Sequence, residues 1–103
     1  MSTFLNQCNQ LQNAEFIARI KIAMYKTAVQ IVGEAGAEYT AQGKNKRHAL
    51  AMQILSGQHV TNFATAIVSS NTSINSESTD NDIEFMTVSV FNSMAGLTSD
   101  DLV

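Results

Sequence analysis

The chain has 103 residues, 45% hydrophobic and only 15% charged, with a net charge of −3 and a pI near 5.1. That apolar content suits one modest core and excludes a disordered chain, so one helical domain is expected over residues 1–103. The absence of proline and the single cysteine, Cys8, exclude a proline-rich linker and an intramolecular disulfide, and Arg19, Lys21 and Lys26 at the middle of the most apolar stretch argue against a transmembrane helix.

In residues 1–12, Phe4, Leu5, Cys8 and Leu11 fall at helical spacing, which predicts a short terminal helix or a segment ordered by a partner. No basic region followed by an apolar run opens the chain, so a signal peptide is not expected. The strongest element is a long central helix from Ala14 to about Glu34, with Asn13 as its N-cap and Gly33 and Gly36 as its stop. Phe16, Ile20, Ala23, Thr27 and Ile31 form its main stripe, which Ile17, Met24 and Ala28 widen. Ile22, Tyr25, Val29 and Val32 carry apolar surface far round the cylinder. Such a helix wants cover on most sides, from its own chain or from a neighbouring subunit.

Residues 34–43 read as a loop, and a second helix is expected from about Lys44 to Leu55. Its apolar set is Ala49 or Leu50 with Met52, Ile54 and Leu55, and Ser56-Gly57 ends it. Lys44, Lys46, Arg47 and His48 then crowd its first turn, against the helix dipole. A third helix is expected over 60–70, with Phe63, Ala64, Ile67 and Val68 facing inward and Asn71 as C-terminal cap. A polar loop over 71–79 follows, pinned by Ile74. The last element spans 80–95. Thr79 and Asp82 resemble a capping box, Gly96 suits the end, and Ile83, Met86, Val90 and Met94 share a face with Phe91 and Ala95 beside it. The rival reading over 84–91 is a strand, given its β-branched and aromatic content. Residues 97–103 form a short acidic tail with an apolar end, extended or ordered by a partner. The fold class expected is all-α, a compact bundle of four to five helices around a long central one.

Catalytic chemistry finds little footing. Cys8, His48 and His59 are scattered, and no nucleophile elbow surrounds a serine. Structural zinc needs four ligands at recognisable spacing, which these three lack. The run Asp80-Asn81-Asp82 has no turn glycine, and its twelfth position is Phe91, so helix capping explains it better than calcium. No phosphate loop or dinucleotide fingerprint occurs. Neither a metal nor a cofactor is expected, and an enzyme is the least favoured class.

Charge is unevenly placed. All 6 basic residues lie at or before Arg47, and acids dominate thereafter. The two signs can meet within one molecule or between molecules stacked head to tail. The cluster at Lys44, Lys46 and Arg47 reads as a solvated helix end, a contact for an acidic protein surface, or a weak touch on a nucleic acid backbone. The acidic pI and the lack of a flanking basic stripe disfavour the last. With so few charges, a surface packed against neighbours is favoured.

The order of segments resembles that of small virion-associated structural proteins of tailed bacteriophages. The likeness is carried by Phe16-Ile17-Ala18-Arg19-Ile20-Lys21-Ile22-Ala23, by His48-Ala49-Leu50-Ala51 and by Phe63-Ala64-Thr65-Ala66-Ile67-Val68. It continues in Thr79-Asp80-Asn81-Asp82-Ile83-Glu84-Phe85 and Phe91-Asn92-Ser93-Met94-Ala95-Gly96. The resemblance implies a non-enzymatic subunit of a virion made in the host cytoplasm: a head–tail connector, neck, capsid-associated or tail component. Its partners would be other virion proteins or copies of itself, and it would be oligomeric once assembled. Contacts are expected through Arg19, Lys26, Lys44, Lys46 and Arg47 and through Asp100, Asp101, Leu102 and Val103. The alternatives are a small adaptor binding one host or phage protein and a weak nucleic-acid-binding accessory protein.

Overall fold

The computed structural model describes residues 2–70, 75 and 77–103, and the side chains of its first helix from Ala14 onward. Among these residues there are four α-helices: α1 (Ser2–Gly33), α2 (Ala41–Leu55), α3 (Val60–Ser70) and α4 (Asp80–Met94). A 3-10 turn follows at Ser99–Asp101. The architecture is the expected all-α bundle, and α1 packs against each of the other three helices. No helix among the described residues is long and apolar enough to cross a membrane.

Residues 84–91 are helical throughout, which removes the strand alternative. The capping is decisive there. Thr79 Oγ1 accepts from the Asp82 amide at 3.2 Å, and Asp80 and Asp82 lie in the first turn, at the positive end of the dipole. At the far end Gly96 takes φ +75°. Its amide donates to the Ser93 carbonyl and the Leu97 amide donates to that of Asn92, a Schellman ending.

Two boundaries differ from the expectation. Asn13 lies inside α1 rather than at a helix start, because α1 is one helix of 32 residues where two were expected. No glycine or proline occurs between Ser2 and Val32, and extending a helix costs far less than starting a new one. α2 begins at Ala41 rather than Lys44 because Thr40 is a better cap, its Oγ1 accepting from the Gly43 amide at 3.0 Å. Lys44 is therefore the fourth helical residue, so the basic cluster lies beyond the first three orphan amides and its conflict with the dipole is smaller. α2 ends as expected at Ser56 and Gly57, with Gly57 at φ +92°. The expected roles of Asn71 and Ile74 lie outside the described residues.

The core is one cluster. Phe16, Ile20, Ala23, Met24, Ala28 and Ile31 come from α1, Leu50, Ala51 and Ile54 from α2, Phe63, Ala64 and Ile67 from α3, and Ile83, Val90 and Phe91 from α4. The main stripe of α1 is buried as expected, Thr27 included. On α2 the inward face is Leu50, Ala51 and Ile54, with Arg47 one turn before, while Ala49, Met52 and Leu55 are exposed. The three-residue shift in helix start does not cause this. Buried positions at 43, 47, 50, 51 and 54 follow a helical repeat, which Met52 and Leu55 break. Val68 and Met94 are exposed too.

The tail is not extended. The Thr40 amide donates to the Asp101 carbonyl at 2.7 Å, the Val103 amide donates to the Glu38 carbonyl at 3.0 Å, and Tyr39 pairs with Leu102 in an antiparallel bridge. Gly43 makes this possible, since a Cβ there would lie 2.9 Å from the Asp101 carbonyl oxygen. Gly43→Ala is therefore expected to displace the tail while leaving α2 helical. A faster release of C-terminal residues by carboxypeptidase at unchanged circular dichroism would show it, and an unchanged rate would contradict it.

Candidate functional site

Most of the charged residues expected to reach a partner are occupied within the chain. Arg19 donates through its guanidinium to Asp80 at 2.9 Å and to the Ser78 carbonyl at 2.6 Å, and Lys26 donates to Glu84 at 2.8 Å. These pairs follow the same chain direction on α1 and α4, so the two helices run alongside in parallel there. Both pairs are substantially exposed, so solvent screening leaves each a minor contribution to stability. Glu84 holds the Lys26 ammonium above its usual 10.5, first through their hydrogen bond and then through its charge. A raised lysine value means the contribution is full below 10.5 and is lost as pH rises past the folded value.

The second group lies around Arg47. Its side chain is buried, against the expectation of a surface contact. It donates to Glu34 at 2.6 Å and to Asn92 Oδ1 at 3.0 Å, and its guanidinium lies 4.3 Å from the centre of the Tyr39 ring. The helical phase of α2 turns this position inward, and Glu34, just past the end of α1, meets it from outside. A buried guanidinium persists only when paired and hydrogen-bonded, and here both conditions hold. A small cavity of about 140 Å³ lies beside it, bordered by Tyr39, Lys44 and His48.

The third group holds the tail. Asp101 is buried, also against expectation. Its carboxylate accepts from the Thr98 amide at 2.9 Å and from Lys46 Nζ at 3.2 Å. The Thr98 amide chiefly, with the Lys46 hydrogen bond and charge behind it, holds this carboxyl below its usual 3.8 against the opposing effect of desolvation. A depressed acid value means the contribution is present above 3.8 and is lost as pH falls through the lower folded value. The tail is thus expected to undock in acid before the core melts. In an acid titration followed by NMR, the Thr40 and Thr98 amide signals should shift ahead of the core methyls. Simultaneous shifts would contradict this local step.

Of the remaining expected contacts, Lys44 and Asp100 are exposed and have no ion pair among the described residues, and Leu102 and Val103 are exposed to 56% and 85%. The opposite charges of the two halves meet inside one molecule at three places, and the fourth ion pair, Arg47 with Glu34, lies within the first half. Cys8 lies outside the described side chains, His48 and His59 are both exposed, and no group of three or more metal-ligating side chains gathers among the described residues.

What the molecule presents instead is apolar. Ile22 is exposed to 67%, Val29 to 58% and Phe85 to 74%. Ile22 borders a groove of about 420 Å³ between α1 and α4, floored by Ala23 and Ile83 and flanked by the Arg19–Asp80 and Lys26–Glu84 pairs. Sequence reading passed over Phe85 as a surface group. Its helical phase, two positions after Ile83 and so almost opposite to it, was the available signal. Compared with protein-family models, curated proteins and solved structures, the chain matches none.

Proposed function

We propose that this protein is a non-enzymatic structural subunit that works through protein–protein contacts, and that its setting is a phage particle. The observation that carries the reading is the exposed apolar stripe of α1, where Ile22 and Val29 are more than half exposed and Tyr25 and Val32 lie in line with them. Single exposed apolar residues such as Phe85 are ordinary, whereas several aligned on one helix face mark an interaction surface. The charged residues do not serve as the main contacts, because Arg19, Lys26, Lys46, Arg47 and Asp101 are paired within the chain. The particle itself is supported by the resemblance in segment order given above.

The test is direct. A tagged chain is expressed in the cells that make the particle, particles are purified on a density gradient, and copies per particle are counted by quantitative mass spectrometry. A fixed copy number in the particle band is expected. A chain left wholly in the soluble fraction would point to the adaptor alternative and end the structural reading.

A further inference from the structure

α1 has two apolar stripes. The first, through Phe16, Ile20, Ala23 and Ile31, is spent on the core. The second runs through Ala18, Ile22, Tyr25, Val29 and Val32, all of them exposed. Their spacing alternates four, three, four, three, the repeat by which one helix seats along another. The same spacing continues backward in the sequence at Glu15, Leu11, Cys8 and Phe4, and α1 remains helical to Ser2.

Charge at the edges of this seam identifies what covers it. Glu15 stands in line with the seam, one turn before Ala18, and Lys21 stands on its flank. Both are exposed, and neither has an ion-pair partner among the described residues. Six positions apart on one helix, they cannot reach each other. An antiparallel second copy, related by a two-fold axis close to Ala18, sets Lys21 of each chain beside Glu15 of the other, and symmetry makes the contact twice. Ala18 at the axis lets the helices approach closely. A parallel, in-register copy would instead set Glu15 against Glu15 in one layer of the seam. On the α4 side of the seam, Arg19 and Lys26 are already neutralised by Asp80 and Glu84, so two such faces meet without a like-charge penalty.

We infer that the second stripe of α1 is a self-association surface on which a second copy of this chain packs antiparallel, with Glu15 and Lys21 setting the direction. This rests on the reading of the protein as an assembly subunit and names one of its partners. In that arrangement Ile22, Tyr25 and Val29 lie level with residues 7–14 of the partner's helix, which gives the length of α1 a use beyond its own core.

Sedimentation equilibrium of the full chain tests it. Wild type is expected to be a dimer, and Ile22→Glu should weaken it by roughly 100-fold or more, because a charge enters the seam once from each copy. Circular dichroism should not change, since Ile22 is exposed in the single chain. Glu15→Lys and Lys21→Glu should each weaken the dimer, and the double variant should restore it. A wild type that stays monomeric, or a dimer indifferent to Ile22→Glu, would overturn the proposal, and a double variant no better than the singles would overturn the antiparallel direction. A monomeric chain that still enters particles overturns self-pairing alone. A dimer broken by Ile22→Glu in a chain absent from particles overturns the particle alone.

Discussion

Phe91→Ala is expected to destabilise the protein by about 3–5 kcal/mol, the largest effect of any single substitution considered. Phe91 and Phe63 are both fully buried, with ring centroids 5.4 Å apart and planes inclined at 59°. This tilted pair ties α3 to α4, and Ile67 and Val90 belong to the same core cluster. Removing one ring deletes its burial and leaves a cavity that neighbours on regular helices can only partly fill. A domain of this size is commonly stable by only ~5–15 kcal/mol, so much of the total is at risk. The melting temperature should fall by roughly 15 °C or more. Phe63→Leu and Phe91→Leu, made singly and together, should show a coupling of about 0.5–1.5 kcal/mol from the ring contact. A thermal melt of Phe91→Ala within a few degrees of wild type would show that the pair does not lie at the centre of the core.

Arg47→Ala is expected to cost about 2–4 kcal/mol, chiefly through lost hydrogen bonds and packing. The two sides of its ion pair differ. The Arg47 side chain is 6% exposed and that of Glu34 is 42% exposed. Deleting the arginine leaves Glu34 free to turn to water, so no stranded charge adds to the loss. Deleting the acid, by Glu34→Ala, leaves a buried guanidinium held by the Asn92 hydrogen bond and the Tyr39 ring. That variant should therefore be destabilised by an amount of the same order despite changing a more exposed residue. Arg47→Lys should not rescue, because an ammonium lacks the planar fork that reaches Glu34 and Asn92 together while stacking on Tyr39. Urea titrations of the three variants give the comparison. Full stability of Arg47→Lys would show that charge alone, rather than fork geometry, joins α1, α2 and α4 there.

The helices were legible where local chemistry acts alone. Thr79, Asp82 and Gly96 mark the ends of α4, and the period of Phe16, Ile20, Ala23, Thr27 and Ile31 marks the inner face of α1. Local chemistry failed where two signals compete over a few residues. Asn13 is a good cap, but a cap ends a helix only if something stops propagation through it, and nothing there does. Thr40 and Lys44 are both credible starts for α2, and the hydrogen bond to Gly43 decides between them. The candidate surface was legible only in part. The apolar surplus of α1 is visible in Ile22, Tyr25, Val29 and Val32. The fate of the charges was not, because Arg19 meets Asp80 across 61 positions and Lys46 meets Asp101 across 55. Such pairings depend on how helices cross, which composition does not encode. The charge of Arg47 suggests a surface group, whereas its place one turn before the buried Leu50 and Ala51 of the same helix points inward.

The most direct check on the central claim is the native mass of the full chain by light scattering across a concentration series, at low salt and at high salt. If apolar contacts along α1 hold the copies together, with Glu15 and Lys21 adding direction, the dimer forms in both conditions and weakens only modestly at high salt. Association that vanishes at high salt would mean that charged groups make the contact. A monomer throughout would mean that the exposed stripe of α1 does not bind a second copy.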